Sequence, residues 1–211
     1  MIIKNRGAVP VIDKSAFVAP NATLVGNVRI GRDSRIMYGA TLDSEESRID
    51  VGDCTIICEN ATLRATAVAN MNHPVLLGDH VFISPHATLL GCSIERASYI
   101  ATGATILHGA TVKEGAVVAV GGIVHAKTVI PSGFIVPPNM IAIGDPVKLY
   151  TPNVKELMQA IKTNEFSREA FGVGTGWNNL VEKYVEVTNV RSDEFKSHLD
   201  DEIVEGDPKN R

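Results

Sequence analysis

From Val18 to Val136 an aliphatic residue returns at nearly every sixth position. The beat opens as Val18, Leu24, Ile30, Ile36 and Leu42, resumes at Val51 and at Leu77, and runs unbroken from Ile94 onward. Four places after most of these residues stands a small one, as at Ala22, Ala40, Ala61, Ala87 and Ala104. Six residues make a short strand and a corner. The aliphatic and the small residue both point inward, and the corner takes Gly, Asn or Asp to turn. One rung cannot bury its apolar side alone, so rungs stack. An amphipathic helix would repeat at i, i+3, i+4 and i+7 instead. So many repeats in phase also argue against a β-sandwich with irregular turns. The pattern predicts an all-β fold, a parallel β-helix over residues 1–150, followed by a helical appendage over residues 151–211.

Composition agrees with a narrow interior. Aromatic residues are 5% of the chain, while Val, Ile, Ala, Thr and Gly dominate. A net charge of −4, with no Lys/Arg-rich run, argues against nucleic acid or an anionic membrane surface as partner. The opening MIIKNRGAVPVID has no apolar stretch of signal-peptide length, and no segment approaches a membrane span. Three cysteines, Cys54, Cys58 and Cys92, form neither a disulfide framework nor a C-x-x-C pair and are expected to be buried and structural. The expected compartment is the cytoplasm.

Two insertions break the beat, residues 43–50 (DSEESRID) and residues 65–76 (ATAVANMNHPVL). Insertions in a solenoid become loops on one side, and such loops often carry function. After Pro137-Pro138 the pattern is expected to stop. In the tail, Asn153 followed by Glu156 reads as a cap for a helix over VKELMQAIK, which would lie along the flank of the β-helix. A second helix is expected over NNLVEKYVEV and a third over SDEFKSHL, with frayed residues from DDEIVEGDPKNR onward.

The segments PVLLGDHVFISPHATLLGCSI, YIATGATILHGATV and PPNMIAIGDPVKL resemble the γ-class carbonic anhydrases and the hexapeptide-repeat proteins grouped with them. The resemblance covers roughly residues 8–150. It implies a left-handed, triangular β-helix with three hexapeptides per turn, assembled as a homotrimer with metal sites between subunits. The three zinc-binding histidines of that family fall on Arg64, Pro85 and Leu90. A proline and a leucine side chain offer no donor atom, and arginine is a permanent cation. Zinc takes about four N, S or carboxylate donors in a tetrahedron, so no metal is expected at these inherited positions. The family's Arg-Gly-Asp corresponds to Asp43-Ser44-Glu45, and its glutamine to Cys58. A scaffold kept while its site changes is how one fold comes to carry different functions.

Remaining candidates are histidines. His73, in Asn72-His73-Pro74 of the longer insertion, is the candidate general base of a hexapeptide acyltransferase. The alternative is a solvent-exposed loop histidine. A rebuilt metal site would draw on His73, His80 and His86, and zinc enters as a cofactor only in that case. His108 and His125 lie within regular rungs and are expected on the outer surface. Leu42 and Leu63 share a repeat position on successive turns, so Asp43 and Arg64 should stack about 4.8 Å apart. A structural ion pair of Asp43, or another nearby carboxylate, with Arg64 is expected. Three functional readings follow: a homotrimeric γ-carbonic-anhydrase-like protein without the family zinc site, in a structural or binding role; a divergent carbonic anhydrase with a rebuilt metal site; and an acyltransferase using His73. The sequence names no small-molecule ligand.

Overall fold

The computed structural model describes residues 1–68, 71–153, 155–163, 166–174 and 176–204. Its body is a left-handed parallel β-helix whose faces are three sheets of ten, seven and seven strands. Successive hexapeptides contribute one short strand to each face in turn, as in Phe17–Val18, Thr23–Val25 and Val28–Ile30. Each strand pairs in parallel with the strand one full turn later, so Phe17 lies beside Arg35 and Leu24 beside Leu42.

The six-residue beat becomes a set of inward columns. Leu24, Leu42, Leu63, Leu89, Ile106 and Val124 are neighbours in register on the ten-stranded face, and all are fully buried. Burying each such side chain contributes about 1.5–3 kcal/mol. The core is one continuous cluster of these aliphatics and of small residues such as Ala22, Ala40 and Ala61. Left-handed coiling needs positive φ at corners. Asn60, His80 and His86 supply it at φ of 55°, 56° and 60°, and short polar side chains such as asparagine tolerate this region best.

The outward sides of the faces differ. On the ten-stranded face the outward column is Thr23, Thr41, Thr62, Thr88 and Thr105. On the seven-stranded face that begins at Phe17–Val18, the column is aromatic and aliphatic, with Phe82 and Tyr99 in ring contact at 5.7 Å.

Several expectations are corrected. The solenoid does not stop at Pro137-Pro138; Ile141–Ile143 adds a further parallel rung, capped by antiparallel Lys148–Tyr150. The longer insertion is not an open loop. It contains an antiparallel hairpin of Thr66–Val68 and Met71–His73. Cys54 is exposed, because it occupies a positive-φ corner whose side chain points out.

In the tail, helix α1 spans Lys155–Thr163, α2 Phe166–Phe171 and α3 Leu180–Phe195. The Asn153 cap adjoins residue 154, which lies outside the described residues. α3 is capped by the Asn179 side chain, which accepts from the amides of Val181 and Glu182. No break separates the second and third expected helices. α3 runs through Phe195 and tightens into a 3-10 turn, Lys196–Asp200. Glu202–Ile203, expected to fray, instead pairs antiparallel with Ile2–Lys4, and residues 205–211 lie outside the described residues. The tail thus returns from the far rungs to the first one.

Candidate functional site

Leu42 and Leu63 face inward, so strand alternation turns Asp43, Arg64 and Leu90 outward in one column. Arg64 Nη2 lies 3.5 Å from Asp43 Oδ2. The chain then bends sharply. Asp43 Oδ1 accepts the Glu45 amide at 3.0 Å, and Glu45 itself sits at φ 45°. This turn folds the Glu45 carboxylate back over the column, where its side chain is only 6% exposed.

Two guanidinium groups meet that carboxylate. Arg64 Nε donates to Glu45 Oε1. Arg191 of α3 donates from Nη2 to Oε1 at 2.7 Å and from Nη1 to Oε2 at 3.3 Å. Arg191 also pairs with Glu194 at 2.6 Å. The Phe195 ring lies against both cations, with centroid distances of 4.6 Å to Arg64 and 4.5 Å to Arg191. Such contacts are attractive because the ring face is the negative end of its quadrupole. Burial raises the Glu194 carboxyl above its ordinary range, with Arg191 pulling the other way. Beyond Phe195, His198 lies 3.8 Å from Asp43 and 3.0 Å from Asp201, whose other oxygen accepts Asn5 Nδ2 at 2.6 Å. The result is a filled ion-paired seat that fixes α3 to the outer surface of the β-helix.

The positions to which the resemblance assigns zinc ligands carry Arg64, Pro85 and Leu90. Arg64 presents a paired cation, which repels Zn²⁺ at ligand distance, and Leu90 stands beside it in register without a donor atom. Pro85, at the corner after Phe82–Ile83, has none either. Among the described residues, no three His, Cys, Asp or Glu side chains gather as a metal group. His80 and His86 occupy two different corners, near Asp53 and Glu59 respectively, and His73 is on the hairpin.

A second polar cluster lies farther along the same surface. His73, from the hairpin, packs over Gly91 so closely that a Cβ there would fall 2.4 Å from the His73 Cβ. Its Nε2 is 3.1 Å from Glu169 Oε2, and Lys127 pairs with the other oxygen of Glu169. Glu169 is carried by α2 and is 3% exposed. His73 is not solvent-exposed; its side chain is 15% exposed. Its ring meets that of His108 edge-on at 6.1 Å. His108 and His125 are each 6% exposed rather than solvent-exposed, and at His108 the His73 ring of the hairpin supplies part of the cover. Burial, reinforced by His73 and Arg191, holds the His108 imidazole down at about 4. Burial lowers His125 as well.

Glu169, Arg191 and Phe195 were not singled out in the sequence. Arg191 and Phe195 stand four apart and so share a helix face, a spacing that was available. Nothing local marks Glu169.

No protein-family profile matches the chain. Gamma carbonic anhydrase 1, mitochondrial, of Arabidopsis thaliana is 42% identical over 101 residues, covering 46% of this chain and 36% of that protein. Gamma carbonic anhydrase 3, mitochondrial, of the same plant is 44% identical over 98 residues, 46% of this chain and 38% of that protein. The matches therefore span little more than a third of these relatives' length. A probable carbonic anhydrase of Methanocaldococcus jannaschii is 29% identical over 96 residues, 46% of this chain and 58% of that protein. Among solved structures, a hexapeptide transferase family protein from Anaplasma phagocytophilum superposes with a TM-score of 0.52 at 22% identity, over 89% of this chain and 94% of that one. At that identity the likeness speaks for the fold alone. The chain is thus similar in sequence to γ carbonic anhydrases over just under half of its length, and in fold it is a left-handed β-helix of hexapeptide rungs.

Proposed function

We propose that this protein keeps the γ-carbonic-anhydrase scaffold without its zinc chemistry, and serves as a homotrimeric structural or binding component. The observation that carries this reading is the seat at Arg64. Where the resemblance places a zinc histidine stands a guanidinium paired with the buried Glu45 and covered by Phe195 and Arg191 of the chain's own tail. Hydration of carbon dioxide at neutral pH by a metal enzyme requires a metal-bound water whose pKa falls to about 7, and that requires converging deprotonated donors. Stopped-flow hydration assays with added zinc are expected to stay at the uncatalysed rate. Saturable hydration that depends on zinc would overturn the reading.

One observation favours a second reading. His73 Nε2 lies 3.1 Å from Glu169 Oε2 at ion-pair distance without a formed hydrogen bond; a small ring rotation would let the carboxylate orient the histidine and leave its other nitrogen as base. That fits an acyltransferase in which His73 accepts a proton from the attacking hydroxyl or amine. Calorimetric titration with acetyl-CoA separates the two: saturable binding supports the acyltransferase, and flat heats support the structural component.

A further inference from the structure

We propose that the first turns of α3 dock onto the aromatic-aliphatic face of a second copy of this chain, a head-to-tail contact that closes a ring. This deepens the assembly part of the proposed function and rests on it. Among the described residues, two apolar patches of one chain stand exposed. The first is on α3. Leu180, Tyr184, Val187 and Arg191 follow at i, i+4, i+7 and i+11 and so share a helix face. The later half of that face is seated, with Val187 buried and Arg191 on Glu45. The earlier half is bare: Leu180 and Tyr184 are 69% and 53% exposed, and on the adjoining stripe of the helix Val181 and Val185 are 73% and 54% exposed. The open patch is thus continuous with an interface that already exists.

The second patch is the outward column of the seven-stranded face. Phe17, Ile56, Phe82, Tyr99, Val117 and Ile135 stand in register, interrupted by Arg35. Phe82, Tyr99 and Ile135 are 39%, 41% and 60% exposed. Seven strands at about 4.8 Å give a ladder about 29 Å long. Large exposed apolar patches mark interaction sites.

Within one chain the patches cannot meet. α3 is fixed to the ten-stranded face through Glu45 and Arg64, whereas the ladder is on another sheet. Between copies they match. Both are apolar with an aromatic centre, and Glu182 and Glu186, exposed beside the helical patch, complement the cation Arg35 in the ladder. Two different surfaces joined between identical chains form a heterologous contact, which makes a ring when the rotation closes.

Single-cysteine variants Val185→Cys and Tyr99→Cys, each in a Cys54→Ser background, test this directly. The proposal expects a disulfide-linked dimer when the two variants are mixed and oxidised, and none from either alone. It also expects Tyr184→Glu to reduce the light-scattering mass from about three times 22.6 kDa to one, with unchanged far-UV circular dichroism. Cross-linking of Val185→Cys with itself would overturn the proposal in favour of a two-fold contact. A trimer without the mixed cross-link would overturn this interface while leaving the assembly reading standing. A wild-type monomer would remove both.

Discussion

The Arg64 guanidinium donates to the buried Glu45 carboxylate, across a turn that Asp43 closes. Arg64 continues a strand column on the scaffold, and Glu45 belongs to an insertion. Arg191, from the far end of the chain, completes the pairing. One carboxylate thereby ties three segments distant in sequence to one point.

Replacing Glu45 by glutamine should therefore destabilise more than loss of an ordinary surface charge. It would leave Arg64 and Arg191 facing each other without their shared counter-charge. Removing one partner of a fully buried pair costs about 3–5 kcal/mol. The Arg64 side chain is 31% exposed, so water offsets part of that, and about 2–3 kcal/mol is expected. Urea unfolding checks it, together with earlier proteolysis of the tail. A change below about 0.5 kcal/mol, the usual range at the surface, would refute the coupling.

Acid should weaken the fold through His108. Its imidazole titrates near 6.5 when unfolded and at about 4 when folded, chiefly because it is buried. Folding therefore disfavours the proton. The stabilisation is complete above pH 6.5 and is lost as pH falls toward and through 4, where the unfolded chain binds more protons. At about 1.4 kcal/mol per unit, His108 contributes a loss of about 3 kcal/mol over that window. His125 acts in the same direction. Urea midpoints measured between pH 7.5 and pH 4.5 should fall for the wild type and fall less for His108→Gln. Equal slopes in the two proteins would refute the assignment.

Gly91 tests the seat of His73. Both Gly91 and Gly103 have positive φ, 46° and 66°, so alanine at either costs about 1–2 kcal/mol of backbone strain. At Gly103 the new Cβ meets nothing within 4 Å, whereas at Gly91 it would lie 2.4 Å from the His73 Cβ. Gly91→Ala should be less stable than Gly103→Ala by about 1–3 kcal/mol, the usual cost of overpacking, and should displace the hairpin. Equal stabilities by urea unfolding would place His73 away from Gly91.

The fold was legible because its determinant is local and periodic. Val18 to Val136 keeps its beat, and each inward residue needs only the neighbour one rung away. The tail was less legible, since its structure depends on distant partners. Glu202–Ile203 forms a strand only because Ile2–Lys4 offers an edge. His108 looked like a surface residue because hexapeptide phase places its side chain outside the prism; phase does not say that a hairpin will bring the His73 ring against it. The Asp43–Arg64 column follows from strand register. Glu45 enters through a turn at positive φ and Arg191 through a helix far along the chain, which hexapeptide spacing does not encode.

The proposal that Arg64, Pro85 and Leu90 hold no zinc is tested most directly by elemental analysis of the full chain purified from zinc-supplemented cells. Far less zinc than one atom per chain is expected, with no change in stability after chelation. Close to one zinc per chain, together with carbon dioxide hydration that a chelator abolishes, would contradict it.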